Sequence, residues 1–129
     1  MTQDFYLDVA LDICRYNSTI LKENLLTYLS NVHFCDSYSF HDTDIVKRRA
    51  VNKEIICIHF VDINSVIKVI QYIKRMKGMY VDCVYDEYKI IFASHTYSKK
   101  MNKDKVREWK ERPKTEQETR IIDALRFSA

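Results

Sequence analysis

One glycine, Gly78, serves a chain of 129 residues, and that scarcity narrows what the chain can be more than any motif in it. Loops that cradle phosphate need glycine so that backbone N–H groups can close on the anion. A nucleophile elbow and a standard calcium loop need it for a sharp turn at positive φ. A P-loop, a dinucleotide-binding turn, a nucleophile elbow and an EF-hand are therefore excluded. Any work on phosphates falls to side chains. There is also one proline, Pro113, and the chain is rich in Ile, Lys, Tyr and Asn. That bias suggests an AT-rich genome, such as that of a virus or phage.

The length suits one domain over residues 1–129, able to bury about two-thirds of the surface its unfolded form exposes. No disulfide or metal is needed for folding. No apolar run reaches the roughly 18–20 residues of a membrane span. The start, Met1-Thr2-Gln3-Asp4, lacks the basic, apolar character of a secretory signal. The expectation is an intracellular, cytoplasmic protein with no membrane partner. Cys14, Cys35, Cys57 and Cys83 each sit in an apolar stretch, which predicts reduced, mostly buried thiols.

Along the chain, Asp4, Asp8 and Asp12 recur at i, i+4, i+8 among apolar residues, and this spacing predicts a helix over 4–16 with one acidic stripe. Asn17-Ser18-Thr19 offers an N-cap for a second helix to about Asn31. Residues 32–41 suggest a strand, His41 to Asp44 a turn, and 45–52 carry no clear signal. Lys53 to Phe60 is the plainest strand, β-branched and apolar on both sides. Ile63, Val66, Ile67, Ile70 and Ile73 mark a helix over 63–77, with Gly78 at its left-handed C′ position. Strands follow at 79–85 and 88–95. Lys103 to Glu111 reads as a helix around Trp109, ended by Pro113, and Thr115-Glu116-Gln117-Glu118 as a capping box opening a last helix.

The fold class is thus α+β. A small mixed sheet is built on a central β-α-β-β unit, read as ferredoxin-like over 53–95, with helices at both termini. A right-handed crossover makes its first two strands parallel. Ile56, Ile58 and Phe60 face the helix; Ile55, Cys57 and His59 face away, under the N-terminal helices or a partner subunit.

Five groupings carry possible chemistry. Residues 99–120 hold nine Lys or Arg against five Asp or Glu, a local +4 in a chain of net +3. The excess surrounds the only tryptophan. Lys99, Lys100, Lys103, Lys105, Arg107, Lys110 and Arg112 suit phosphates, and Trp109 suits a base; the competing reading is a solvated helix with Trp109 in the core. His33-Phe34-Cys35 and Cys57-Ile58-His59 would meet a zinc ion only if their strands were adjacent, and buried thiols and imidazoles explain them as well. His59 and His95 end two strands, where paired imidazoles can act as base and acid. Two-histidine phosphoesterases use paired His-x-Thr/Ser motifs, and only His41-Asp42-Thr43 spells one. Glu87-Tyr88-Lys89 with Asp82 has a nuclease-like spelling, more simply a charged turn. The stripe Asp4, Asp8, Asp12 could receive the basic segment of the same or a second chain, or face solvent.

The reading is a small nucleic-acid-binding or regulatory protein acting through its basic C-terminal segment, without cofactor or metal. The alternative is a non-enzymatic protein-binding factor, either a host-factor modulator or a homodimer. Third is a phosphodiesterase or nuclease using His59 and His95.

Overall fold

The computed structural model describes residues 4–31, 39–40, 44–47, 52–87, 89–99 and 103–126. The elements run β1 (Phe5–Asp12), α1 (Ser18–Asn31), β2 (Ser39–Phe40), β3 (Asp44–Lys47), β4 (Asn52–Phe60), α2 (Ile63–Arg75), β5 (Met79–Asp86), β6 (Ile90–Ala93), α3 (His95–Ser98), α4 (Lys103–Glu111) and α5 (Glu116–Arg126). The α+β class and the β-α-β-β unit stand.

The first element is a strand, not the expected helix. An i, i+4, i+8 spacing is even, so it places Asp4, Asp8 and Asp12 on one face of a strand as readily as of a helix. The deciding pattern is Phe5, Leu7, Val9 and Leu11, which alternate and are all buried. A helix would have scattered these four around its axis, whereas a strand puts them on one side.

β1 then takes the middle of the sheet, whose order is β2-β4-β1-β5-β6, with β3 also paired to β4. It runs antiparallel to β4 (Leu7↔Ile58) and to β5 (Leu7↔Val84). The strands joined by α2 are therefore parallel in direction but separated by β1, a split β-α-β arrangement. The expected mixed sheet is corrected accordingly: every described pairing is antiparallel.

The inner face buries Phe5, Leu7, Val9 and Leu11 with Ile56, Ile58 and Phe60, as the alternation in β4 predicts. Three helices pack into this core. α1 contributes Leu21, Leu25 and Leu29, one stripe at i, i+4, i+8. Asn17 caps it, accepting from the Ile20 N–H at 3.1 Å. α2 contributes Ile63, Val66, Val69, Ile70 and Ile73 from an Asp62 cap. Tyr28 and Tyr72 stack between these helices with centroids 4.0 Å apart. α5 adds Ile121 and Ala124, and the Lys74 ammonium binds the last carbonyls of α5, Ala124 and Leu125.

Helix α2 stops at Arg75, two residues before the expected end. Gly78 adopts φ +87° and its carbonyl accepts from the Asp12 N–H at 2.8 Å, joining the α2–β5 turn to the end of β1. A Cβ there would stand 2.8 Å from the Tyr16 ring. Gly78→Ala is expected to cost about 1–2 kcal/mol through the left-handed backbone, with Tyr16 swinging outward. A melting temperature unchanged from the parent would contradict this.

Among the described residues, no helix is long and apolar enough to cross a membrane.

Candidate functional site

The outer face of the sheet carries polar groups in rows, because partners in antiparallel strands share a face. Tyr6 lies opposite His59 on β4 and Tyr85 on β5. The three rings form one stack, 5.0 Å from His59 to Tyr6 and 5.2 Å from Tyr6 to Tyr85. Asp4 binds the His59 Nε2 at 2.9 Å, and this hydrogen bond, with one involving Glu87, holds the Asp4 carboxyl below its ordinary range. The next row is Cys57, Asp8, Cys83. The Tyr85 hydroxyl donates to Asp8 Oδ1 at 3.3 Å and shares a 3.4 Å contact with the Cys57 thiol. Burial pushes the Cys57 thiol up to about 11 and raises the Cys83 thiol and the Tyr85 phenol as well. All three are protonated at neutral pH and inert as nucleophiles. With β1 between them, Cys57 and Cys83 are about 10 Å apart by strand spacing, too far for a disulfide.

A bulge in β5 follows. Val81 and Cys83 pair with Val9 and Asp8, leaving Asp82 without a partner in β1. Asp82 accepts from Lys53 Nζ at 3.2 Å and from Ser94 Oγ at 2.9 Å. The Lys53 side chain, from β4, reaches across β1 to β5, where it also bonds the Tyr80 hydroxyl at 3.2 Å.

Helices α3 and α4 stand over the β5–β6 side of this face. The α4 helix has no buried residue; two contacts hold its C-terminal half. The Trp109 indole N–H donates to the Ile91 carbonyl at 2.9 Å, its ring edge-on to Phe92. The Arg112 guanidinium donates to the Ile90 carbonyl at 2.8 Å. Both carbonyls belong to the edge strand β6, so these bonds also blunt an open edge.

Between α4 and the sheet lies an open cleft of about 430 Å³. Its walls are aromatic: Trp109 from α4, Tyr85 from β5 and Tyr97 from α3. Burial pushes the Tyr97 phenol up to about 12, so it too stays neutral. Asp8, Asp86, Glu87 and Glu108 line the cleft with Lys89, Lys105 and Arg112. Lys89 and Arg112 are engaged elsewhere, both ion-paired at 2.9 Å with Glu118 of α5.

The basic segment thus divides. Lys103, Arg107 and Lys110 are exposed at i, i+4, i+7 of α4, one stripe facing solvent. Lys99 is exposed at the end of α3, and Lys105 lines the cleft. Trp109 and Arg112 serve the fold and line the cleft together. Lys100 lies outside the described residues, as do His33, Cys35, His41 and Thr43.

The other groupings are not assembled. His59 and His95 sit on or just after β4 and β6, separated by three strand spacings, at least about 14 Å, and His59 is committed to Asp4. Glu87 lies exposed at the β5–β6 turn while Asp82 is held by Lys53 and Ser94. Cys57 and His59 have local partners, and no group of three His, Cys, Asp or Glu able to hold a metal exists among the described residues. Asp8 of the acidic stripe faces the cleft beside the basic helix of its own chain. Sequence reasoning does not single out Tyr85 or Tyr97, nor does it place Asp8 in a cleft. The signal for Asp8 is the alternation in 5–11, which puts it on the face opposite the core.

Comparison with protein-family models, with characterised proteins and with solved structures finds no match to this chain.

Proposed function

We propose that the protein binds single-stranded nucleic acid along α4, with the backbone on the exposed stripe Lys103, Arg107 and Lys110 and a base turned into the adjoining cleft. The observation that carries this reading is the juxtaposition itself. One short helix presents a row of cations outward and the only tryptophan toward an aromatic-walled cleft. Cations release counterions from phosphates without reading sequence, and aromatic faces accept any base. A duplex keeps its bases stacked inside, so such a cleft is useful only to unpaired strands.

The test is fluorescence anisotropy of labelled mixed-sequence twelve-nucleotide RNA and DNA strands over a range of salt. Binding is expected to weaken steeply with salt. Lys103→Ala, Arg107→Ala and Lys110→Ala together should lower the log–log salt slope by about 2, at about 0.7 for each phosphate no longer neutralised. These residues are exposed, so the triple variant should keep its melting temperature. No binding at low salt, or a slope unchanged in the variant, would refute the reading.

A further inference from the structure

A cleft meant for nucleic acid has an awkward lining: four acids, Asp8, Asp86, Glu87 and Glu108, stand against three cations, two of which, Lys89 and Arg112, are already ion-paired to Glu118, so the balance disfavours a phosphate. The exposed stripe Lys103, Arg107 and Lys110 stands on the other side of α4, and Lys105 is the one cation of the lining outside those ion pairs. The two chemistries are therefore separated by one helix: phosphate outside, and something that welcomes carboxylates inside.

Ionised carboxylates only accept hydrogen bonds. The base edges that fit them carry donors. Guanine offers two adjacent donors, an imino N–H and an amino group, which match the two oxygens of one carboxylate. Adenine and cytosine offer an amino group beside an acceptor nitrogen. Uracil and thymine offer one N–H between two carbonyl oxygens, and those oxygens would face the carboxylates unfavourably. The cleft volume of about 430 Å³ lies in the range of small-ligand sites, and its aromatic walls supply a stacking face. Asp8 anchors the inner end through Tyr85, while Glu87 and Glu108 are exposed at the mouth.

Resting on the nucleic-acid reading above, we infer that this cleft takes one unstacked base against Trp109 and that Asp8, Glu87 and Glu108 select it, guanine ahead of adenine and cytosine, and these ahead of uracil and thymine. The carboxylates act as specificity determinants, and the α4 stripe supplies sequence-independent affinity. That division follows the general separation of backbone contacts from base contacts.

The sole tryptophan makes the cleft self-reporting, since a base stacked on Trp109 quenches its emission. The experiment titrates the full chain with a nine-nucleotide oligouridine and with the same strand carrying one central guanine, reading anisotropy and tryptophan emission together. The guanine strand is expected to bind about tenfold more tightly, the effect of one good base contact, and to quench Trp109. Asp8→Asn, Glu87→Gln and Glu108→Gln together should bring the two strands within about twofold, with binding of plain oligouridine retained. Glu87→Gln with Glu108→Gln alone, at exposed positions, gives a partial loss of preference if Asp8→Asn disturbs folding. Equal affinity for both strands without quenching overturns the base-selection inference and leaves the nucleic-acid reading intact. Binding of neither strand removes both. Quenching by an arginine-rich peptide but by neither strand overturns the inference in favour of a basic protein partner.

Discussion

Replacing Asp82 with alanine is expected to lower the unfolding free energy by about 3–5 kcal/mol, the usual cost of removing one partner from a buried ion pair. The Lys53 side chain is only 1% exposed and that of Asp82 6%. Without the carboxylate, the Lys53 ammonium keeps the Tyr80 hydroxyl and the Tyr80 ring 5.5 Å away, neither of which carries a countercharge. Ser94 Oγ loses its acceptor as well. Small domains have total stabilities of about 5–15 kcal/mol, so the loss is a large share. The pair itself adds little net stability, because withdrawing both charges from water offsets most of their attraction. Lys53→Met with Asp82→Leu should therefore stand within about 1 kcal/mol of the parent protein. Urea unfolding followed by circular dichroism measures both. A single variant within about 1 kcal/mol of the parent, or a double variant as unstable as the single one, would contradict the account.

That ion pair also shows where sequence reading stops. Lys53 opens an apolar strand and Asp82 enters only the spelling it shares with Glu87 and Lys89, so neither points to the other. Their meeting depends on two facts of tertiary structure: β1 inserts between β4 and β5, and a bulge releases Asp82 from the ladder. Elements with strong local signals are legible. The helix at 103–111 has the expected bounds, β4 lies within a residue of its expected span, and the faces of Ile56, Ile58 and Phe60 follow from alternation. β1 is ambiguous because aspartates four apart fit two periodicities, and only the alternation of Phe5, Leu7, Val9 and Leu11 separates strand from helix. The cleft is half legible. Trp109 and its neighbouring cations stand out in the sequence, but its far wall comes from β1, β5 and α3, and no local pattern joins Asp8 to Tyr85 and Tyr97.

Glu118 offers the second test, because one residue ties the C-terminal helices to the sheet. Thr115 caps α5 as the sequence motif predicts, its hydroxyl accepting from the Glu118 N–H at 3.1 Å. In a full capping box the glutamate side chain would return to the N-cap backbone. Here it turns inward instead, 2% exposed, to meet Lys89 from the β5–β6 turn and Arg112 from the end of α4, each at 2.9 Å. Glu118→Gln keeps the shape and removes the charge, leaving two cations beside each other. The expected loss is about 2–3 kcal/mol, below the full value for a buried pair because Lys89 and Arg112 keep some contact with water. The pH dependence separates charge from packing. Burial pushes the Glu118 carboxyl up, yet the hydrogen bonds from Lys89 and Arg112 and their positive charges more than offset it, so the folded value lies below the ordinary one of 4.5. A carboxylate depressed on folding stabilises above its unfolded value and loses that contribution as pH falls through the folded value. The gap between the parent protein and Glu118→Gln should thus be full at about pH 7 and narrow progressively below about pH 4.5. A gap that stays constant into the acid range would assign the effect to packing and not to the ion pairs. Because Arg112 also holds α4 against β6, the same substitution should loosen the cleft wall; under the proposed function that lowers guanine preference at neutral pH and leaves oligouridine binding through Lys103, Arg107 and Lys110 in place.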